Sequence, residues 1–187
     1  IESVLPSRII ELLKRAGSIA DSMSFTAYAV GGFVRDLLLG VENLDIDIVV
    51  EGDGIAFARK LAEYYGAKMR PHVRFGTARI IWPDGFSIDI ATARLEYYQS
   101  PGALPTVERG SIKLDLYRRD FTINALAIKL NPDGWGHIID FFGGQKDIKD
   151  RLIRVLHNLS FVEDPTRIFR GIRLSERLGF QISRHTP

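Results

Sequence analysis

The run Leu44-Asp45-Ile-Asp47-Ile-Val-Val constrains the fold of this chain more than any other stretch. Acidic and aliphatic residues alternate, as they do on a strand with one buried face, and residues 54–65 follow as an amphipathic helix. A similar unit precedes it. Residues 25–30 read as a strand, Gly31-Gly32 as a tight turn, and 33–39 as a helix stopped by Gly40. Farther on, 79–82 and 86–91 flank the turn tripeptide Pro83-Asp84-Gly85 and read as a hairpin. Strand-helix units and a hairpin in one chain predict an α/β fold with a mixed sheet.

The flanking segments are simpler. Residues 7–20 carry apolar positions at helical spacing and predict a short lead-in helix ending at Gly17. Two prolines and a glycine in 99–106 predict a mobile connector. An apolar stretch at 123–130, a turn at Asn131-Pro-Asp-Gly and a strand-like 137–142 come next. Asp164-Pro165 then opens a helix that runs to Gly179.

Composition mainly excludes. With 187 residues and 45% hydrophobic content the chain can bury a core. It has no cysteine, which removes disulfides, thiolate nucleophiles and cysteine zinc sites and suits a reducing cytoplasm. Four scattered histidines argue against a histidine metal site. No apolar run approaches the roughly 18–20 residues that span a bilayer, so a cytoplasmic protein without membrane contact is expected. The net charge of only +2 makes any nucleic-acid reading depend on where the arginines fall. A start without Met and an end at Arg184-His-Thr-Pro suggest a piece of a longer protein.

Asp45 and Asp47 stand two apart on the expected strand, so both side chains leave one face with Cα atoms about 6–7 Å apart. Carboxylates that close repel, and a divalent cation bridging them resolves the repulsion; magnesium, in a two-metal site, is the natural candidate. An isolated Asp-x-Asp is more often an acidic strand face. Asp89, on the hairpin strand, supplies a third catalytic carboxylate if that strand neighbours Asp45 and Asp47, and is otherwise a solvated strand position. Gly31 and Gly32 open a helix where phosphate oxygens can approach backbone N–H groups, although such a pair is more often just a turn. Position strengthens each reading, because the glycine turn, Arg35-Asp36 and the Asp pair follow one another closely. An anion cradle beside a metal pair points to nucleoside triphosphate chemistry.

The run Val30-Gly31-Gly32-Phe-Val34-Arg35-Asp36-Leu-Leu-Leu-Gly40 with Leu44-Asp45-Ile-Asp47 resembles the first motif of the class II tRNA nucleotidyltransferases and bacterial poly(A) polymerases of the polymerase β superfamily. Arg118-Arg119-Asp120-Phe121-Thr122-Ile-Asn124-Ala125 resembles their second motif, and Asp140-Phe-Phe-Gly143-Gly144 with Asp147 the third. Glu163-Asp164-Pro-Thr-Arg167-Ile-Phe-Arg170 resembles the motif that selects the nucleotide. All four stand in family order. The resemblance implies a polymerase β-like nucleotidyltransferase head, with a mixed, mainly antiparallel sheet flanked by helices, followed by the start of an all-α neck. The boundaries it suggests are a lead-in at 1–24, the head at 25–150 and the neck from 151 to 187. By the same resemblance Asp45 and Asp47 hold the metal, and Gly31, Gly32 and Arg35 surround the triphosphate. Arg118, Asp120 and Asn124 contact sugar and phosphates, Asp164 and Arg167 read the base edge, and Arg170 supports them. The segment Leu95-Glu96-Tyr97-Tyr98-Gln-Ser-Pro101-Gly102-Ala-Leu-Pro105 is similar to versions linked to DHH and CBS domains, some of which add only CC or only A.

The chemistry of these residue types agrees. Guanidinium groups bond phosphate oxygens in pairs, while Thr122 and Asn124 offer hydroxyl and amide groups to a ribose. Alone, the Arg118-Arg119-Asp120 run reads as a solvated charge cluster. Arg167, Arg170, Arg173 and Arg177 recur on one side of the last helix, with Ile168, Ile172 and Leu178 largely on another, and that stripe faces either a ligand or solvent. Asp164 competes for a second role as helix cap. An Asp acceptor beside an Arg donor can bond a base edge as a complementary base would. The implied reaction is metal-dependent transfer of CMP or AMP from CTP or ATP to the 3′ end of tRNA. The rival readings are poly(A) synthesis by the same head and a noncatalytic RNA-binding module.

Overall fold

The structure, a computed structural model, describes residues 4–97, 106–157 and 160–183. Eleven strands and seven helices are found among them. In chain order they are α1 (Ser7–Ser22), β1 (Thr26–Val30), α2 (Gly32–Leu38), β2 (Ile46–Glu51), α3 (Gly54–Tyr65), β3 (Lys68–His72), β4 (Thr77–Ile81) and β5 (Ser87–Thr92). There follow β6 (Arg94–Tyr97), β7 (Thr106–Arg109), α4 (Ile112–Tyr117), β8 (Ala127–Lys129), β9 (Ile138–Ile139), α5 (Gly144–Asp150), β10 (Leu152–Ile153), α6 (Ser160–Glu163), α7 (Thr166–Leu178) and β11 (Gln181–Ile182). The main sheet has seven strands in the order β3-β4-β5-β2-β1-β8-β9. Within it only β2 and β5 run parallel, so it is mixed and mainly antiparallel, as the sequence predicts.

Alternation along the strands sets what each face does. Ile46, Ile48, Ile80, Ile88 and Ile90 point to one side and pack with Phe57 and Leu61 of α3 and with Leu12, Leu13 and Ala16 of α1 in one continuous core. The other face is covered at its β1–β2 end by α4, where Tyr28, Val30 and Val49 meet Ile112 and Leu116. The lead-in helix is therefore a wall of the sheet's own core. Ile153, Val155 and Phe180 join the same core from the end of the chain.

Three local expectations are corrected. Helix α1 continues through Gly17 to Ser22, because that glycine serves packing instead of termination: a Cβ there would lie 1.8 Å from the Leu130 carbonyl oxygen. Asp45 stands just before β2, exposed, and only Asp47 belongs to the strand. Strand β3, which the sequence did not announce, contains Pro71, a residue tolerated because β3 is an edge. The connector expected at 99–106 lies outside the described residues except for Thr106, which opens β7; β6 and β7 form an antiparallel pair on either side of it. No helix among the described residues is long and apolar enough to cross a membrane.

Replacing a helical glycine by alanine ordinarily stabilises a helix by up to about 1 kcal/mol. Gly17→Ala is instead expected to destabilise this chain by about 1–3 kcal/mol in urea denaturation, because the added methyl meets backbone on α1's inner side. A gain in stability would contradict the packing described.

Candidate nucleotide site

Strand β1 delivers its last residue, Val30, opposite Asp47, and the chain then turns at Gly31 into α2. Gly31 has φ 75° and ψ −141°, a backbone state that favours glycine, and a Cβ there would stand 3.1 Å from Arg119 Nη1 and 3.9 Å from Asp47 Oδ2. The turn is thus kept bare where an arginine and the strand carboxylate approach. The Gly31 amide donates to the Leu126 carbonyl and is therefore already engaged, which takes it out of the anion cradle expected there.

Of the candidate residues named from the sequence, all but Asp89, Thr122 and Arg173 line a single cavity of about 450 Å³; the Thr122 hydroxyl is turned to Asp147 instead of to a ribose. Arginines outnumber aspartates on its wall, and buried carboxylates grip several of them. Asp36 accepts from Arg35 Nε at 2.8 Å, from Asn43 at 2.7 Å and from Arg177 at 3.1 Å. Asp115, fully buried on α4, holds Arg118 at 3.0 Å and Arg119 at 3.2 Å. Asp120 pairs with Arg170 at 2.7 Å and accepts from Asn124, whose side-chain oxygen in turn accepts from Arg35. Asp120 and Asn124 therefore act first on other protein groups. Asn124 Nδ2 is already donated to Asp120, and the position it occupies on the wall is set by that bond.

Helix α7 lies against this wall and sets Arg167, Arg170 and Arg177 on it. Arg167, only 8% exposed, donates to the Arg118 carbonyl at 3.0 Å, while Arg170 and Arg177 reach Asp120 and Asp36. Ile168, Phe169 and Ile172 are exposed, so the apolar side faces out, while all of the basic stripe but exposed Arg173 lines the cavity. Asp164 ties down the start of α7 and also lines the cavity. Its Oδ1 accepts from the Thr166 amide and hydroxyl, which holds its carboxyl below the usual carboxylate range, while Oδ2 lies 3.9 Å from Arg167 Nε.

The third motif is architectural. Asp140 caps α5 through the Gly144 and Gln145 amides, and buried Asp147 pairs with Arg154 and accepts from the Thr122 hydroxyl. The capped helix and the buried pair hold the turn that carries Asn124 against α5.

Burial pushes the Asp47 carboxyl up from its ordinary 3.8 to about 6; Arg119 pulls it down, and Asp45 and Asp89 push it further up. Asp89 sits directly opposite Asp47 on the parallel neighbour β5, but both its oxygens are held at 2.8 Å by Arg79. Among the described residues no three carboxylate or imidazole groups converge to hold a metal on protein ligands alone. A desolvated carboxylate crowded by two others still fits a divalent cation whose remaining ligands come from a phosphate and water. Arg119 was missed as a site residue. It touches Gly31's open side and borders Asp47, and its buried Nε has no hydrogen-bond partner. Its place in the run after Arg118 was the available signal. Asn43 and Arg177, bound to Asp36, were missed too.

A model of the poly A polymerase head domain matches residues 27–154. The chain belongs to that family. The matched span holds the glycine turn, the Asp pair and the second and third motifs, whereas α7 lies beyond it. An A-adding tRNA nucleotidyltransferase of Geobacter sulfurreducens is 60% identical over 182 residues, covering 97% of this chain and 21% of the relative. A solved CCA-adding enzyme in an apo form superimposes with a TM-score of 0.93 at 52% identity, covering 97% of this chain and 43% of that one. A CCA-adding enzyme of Thermotoga maritima complexed with tRNA gives a TM-score of 0.87 at 49% identity, covering 98% of this chain and 41% of that one. The chain thus spans about a fifth of the curated relative and about two fifths of the two solved structures.

The raised pKa of Asp47 has a definite sign. The folded state binds this proton more tightly than the unfolded chain, so the contribution to stability is present below about pH 3.8 and lost as pH rises through about 6. Without divalent ions, Asp47→Asn is expected to melt above the parent at pH 8, by about 1–3 kcal/mol, with the difference vanishing near pH 4. Equal stability of the two proteins at both pH values would contradict the desolvation of Asp47.

Proposed function

We propose that this chain is the catalytic head, with the first part of the neck, of a tRNA nucleotidyltransferase that transfers AMP from ATP to the 3′ end of tRNA. The observation that carries the reading is the gathering of the glycine turn, the Asp45–Asp47 pair, the second motif and the α7 arginines on one cavity wall. Support for A addition in particular comes from the 60% identity to the A-adding relative. The division at 25–150 and 151–187 belongs to the same proposal, as does a place in the cytoplasm.

On this reading the triphosphate lies against Arg35, Arg118 and Arg119, whose guanidinium groups are already oriented by Asp36 and Asp115. Pre-orientation matters because phosphoryl and nucleotidyl transfer depend mostly on positioning and charge neutralisation. Asp45 and Asp47 would hold a divalent ion, magnesium by preference, which when bound supplies charge neutralisation on the triphosphate and acidifies an attacking hydroxyl. Asp47 must be ionised to do so, and its raised pKa means that its metal-free form still binds protons near neutrality. The primer 3′-hydroxyl then displaces pyrophosphate from the α-phosphorus in line. Asp164 and Arg167 face the incoming base with an acceptor and a donor, each held at its other end by Thr166 and by the Arg118 carbonyl. A base without the complementary donors and acceptors leaves these groups unpaired, and this is the basis of selection.

Incubation of the full-length parent protein with magnesium, each NTP and labelled tRNA ending before the terminal CCA, after its first C, or after CC is the direct test. The expected result is addition of one A to tRNA ending in CC, with a loss of at least 10³-fold for Asp47→Ala. Addition of C would redirect the reading to CC or CCA synthesis, and long A tails on any RNA to poly(A) synthesis. The absence of any metal-dependent transfer would leave a binding module.

A further inference from the structure

Strand register sets four charged residues in one line across the sheet. Arg70 of β3 faces Arg79 of β4, Arg79 faces Asp89 of β5, and Asp89 faces Asp47 of β2. Directly paired residues share a face. The line therefore reads cation, cation, anion, anion and ends at the carboxylate that borders the nucleotide cavity. His72 and Thr77, paired one step along, add polar groups on the same face. These residues border a second cavity of about 620 Å³, distinct from the first and meeting it at Asp47 and Arg119. Arg119 contributes a buried guanidinium Nε without a partner at that junction.

The chemistry demands two rooms sharing one wall. In an in-line displacement the attacking hydroxyl approaches the α-phosphorus from the side away from pyrophosphate. A triphosphate in the arginine-walled cavity leaves the attacking strand to come from the other side of Asp47. That strand is an RNA end, whose nearest charge is the phosphodiester just before its terminal nucleoside. Arg79 is suited to such a group, since a guanidinium fork grips phosphate as it grips carboxylate. At present the fork is on Asp89, in a pair whose side chains are 54% and 41% exposed and therefore held weakly against water and competing anions.

Resting on the transferase reading, we propose that the second cavity receives the 3′-terminal phosphodiester of the RNA primer on Arg79 and Arg70, and that Arg79 gives up Asp89 in doing so. Asp89 is a latch in this scheme. Without primer it is paired with Arg79 and holds the fork ready; displaced by the primer phosphate, its carboxylate is released beside Asp47 only when a primer is in place. No bond is made or broken in the exchange, which swaps one anion for another on the same guanidinium.

The test is binding of a short labelled RNA ending in CC to the full-length parent protein without ATP, followed by fluorescence anisotropy over a range of salt. Arg79→Gln is expected to weaken RNA at least tenfold and to lower the slope of log affinity against log salt by about 0.7, the loss of one phosphate contact on a single strand. Asp89→Asn, which frees the fork, is expected to bind RNA as tightly as the parent or more so, yet to extend it at least tenfold more slowly at saturating RNA. ATP affinity should stay within twofold in both variants. Lys60→Gln, which removes a charge from exposed α3 on the opposite face, should leave RNA binding unchanged. The proposal is overturned if Arg79→Gln binds RNA like Lys60→Gln. It is equally overturned if Arg79→Gln and Asp89→Asn weaken RNA alike, as a merely structural pair would. Because binding is read without turnover, a parent protein that extends no RNA would refute the transferase reading while the RNA affinities still decide this one.

Discussion

A guanidinium on a long side chain points nowhere in particular unless a buried acceptor orients it. That constraint shapes this molecule. Asp36, Asp115 and Asp120 are almost fully buried, and each has its oxygens occupied by arginine, asparagine or backbone donors. Burying a charge alone is costly, so each carboxylate is stable only with its partners in place, and each partner is thereby fixed at the cavity wall. The arginines reach the wall from α2, from the turn after α4 and from α7, elements far apart in sequence. The same ion pairs therefore assemble the site and dock α7 on the sheet. Helix α7 shows the consequence most plainly, because its Arg167, Arg170 and Arg177 line the cavity and Ile168, Phe169 and Ile172 turn outward.

The acidic end of the site follows the opposite logic. Among the described residues neither Asp45 nor Asp47 has an arginine of its own: Arg119, beside Asp47, is ion-paired with Asp115, and Arg79 is held by Asp89. Repulsion and burial are left standing on Asp47, whose proton affinity rises accordingly. Ordered cations around a carboxylate pair make a surface that, on the proposed function, is completed by a phosphate-bearing cation complex between them.

Much of this was legible in the sequence because it depends on short-range patterns. The alternation around Asp47, the glycines at 31 and 40 and the Pro83-Asp84-Gly85 turn each dictate a local backbone, and the structure follows them. The first, second and fourth motifs carry most of the wall residues, and each could be read because it is contiguous. What the sequence concealed depends on contacts between distant segments. Gly17 reads as a helix stop until the Leu130 carbonyl is seen against it. Strand β3 hides because Pro71 forbids it anywhere but an edge, and edges are set by the whole sheet. Arg119 looked like one member of a solvated run, since nothing local says that Asp115 is buried beneath it or that Gly31 is bare above it. The Asp89–Asp47 adjacency needed the parallel pairing of β2 with β5, which no turn between them specifies.

On the proposed function, two carboxylates and a set of pre-oriented arginines wait for a metal and a triphosphate together. Manganese binding followed by electron paramagnetic resonance, with and without a non-hydrolysable ATP analogue, measures that coupling directly. With only the Asp45 and Asp47 carboxylates to hold it, the ion alone is expected to bind weakly, and the analogue to tighten it at least tenfold. Reciprocity then requires the ion to tighten the analogue by the same factor. Tight manganese binding that ignores the nucleotide, or nucleotide binding that ignores manganese, would contradict the account.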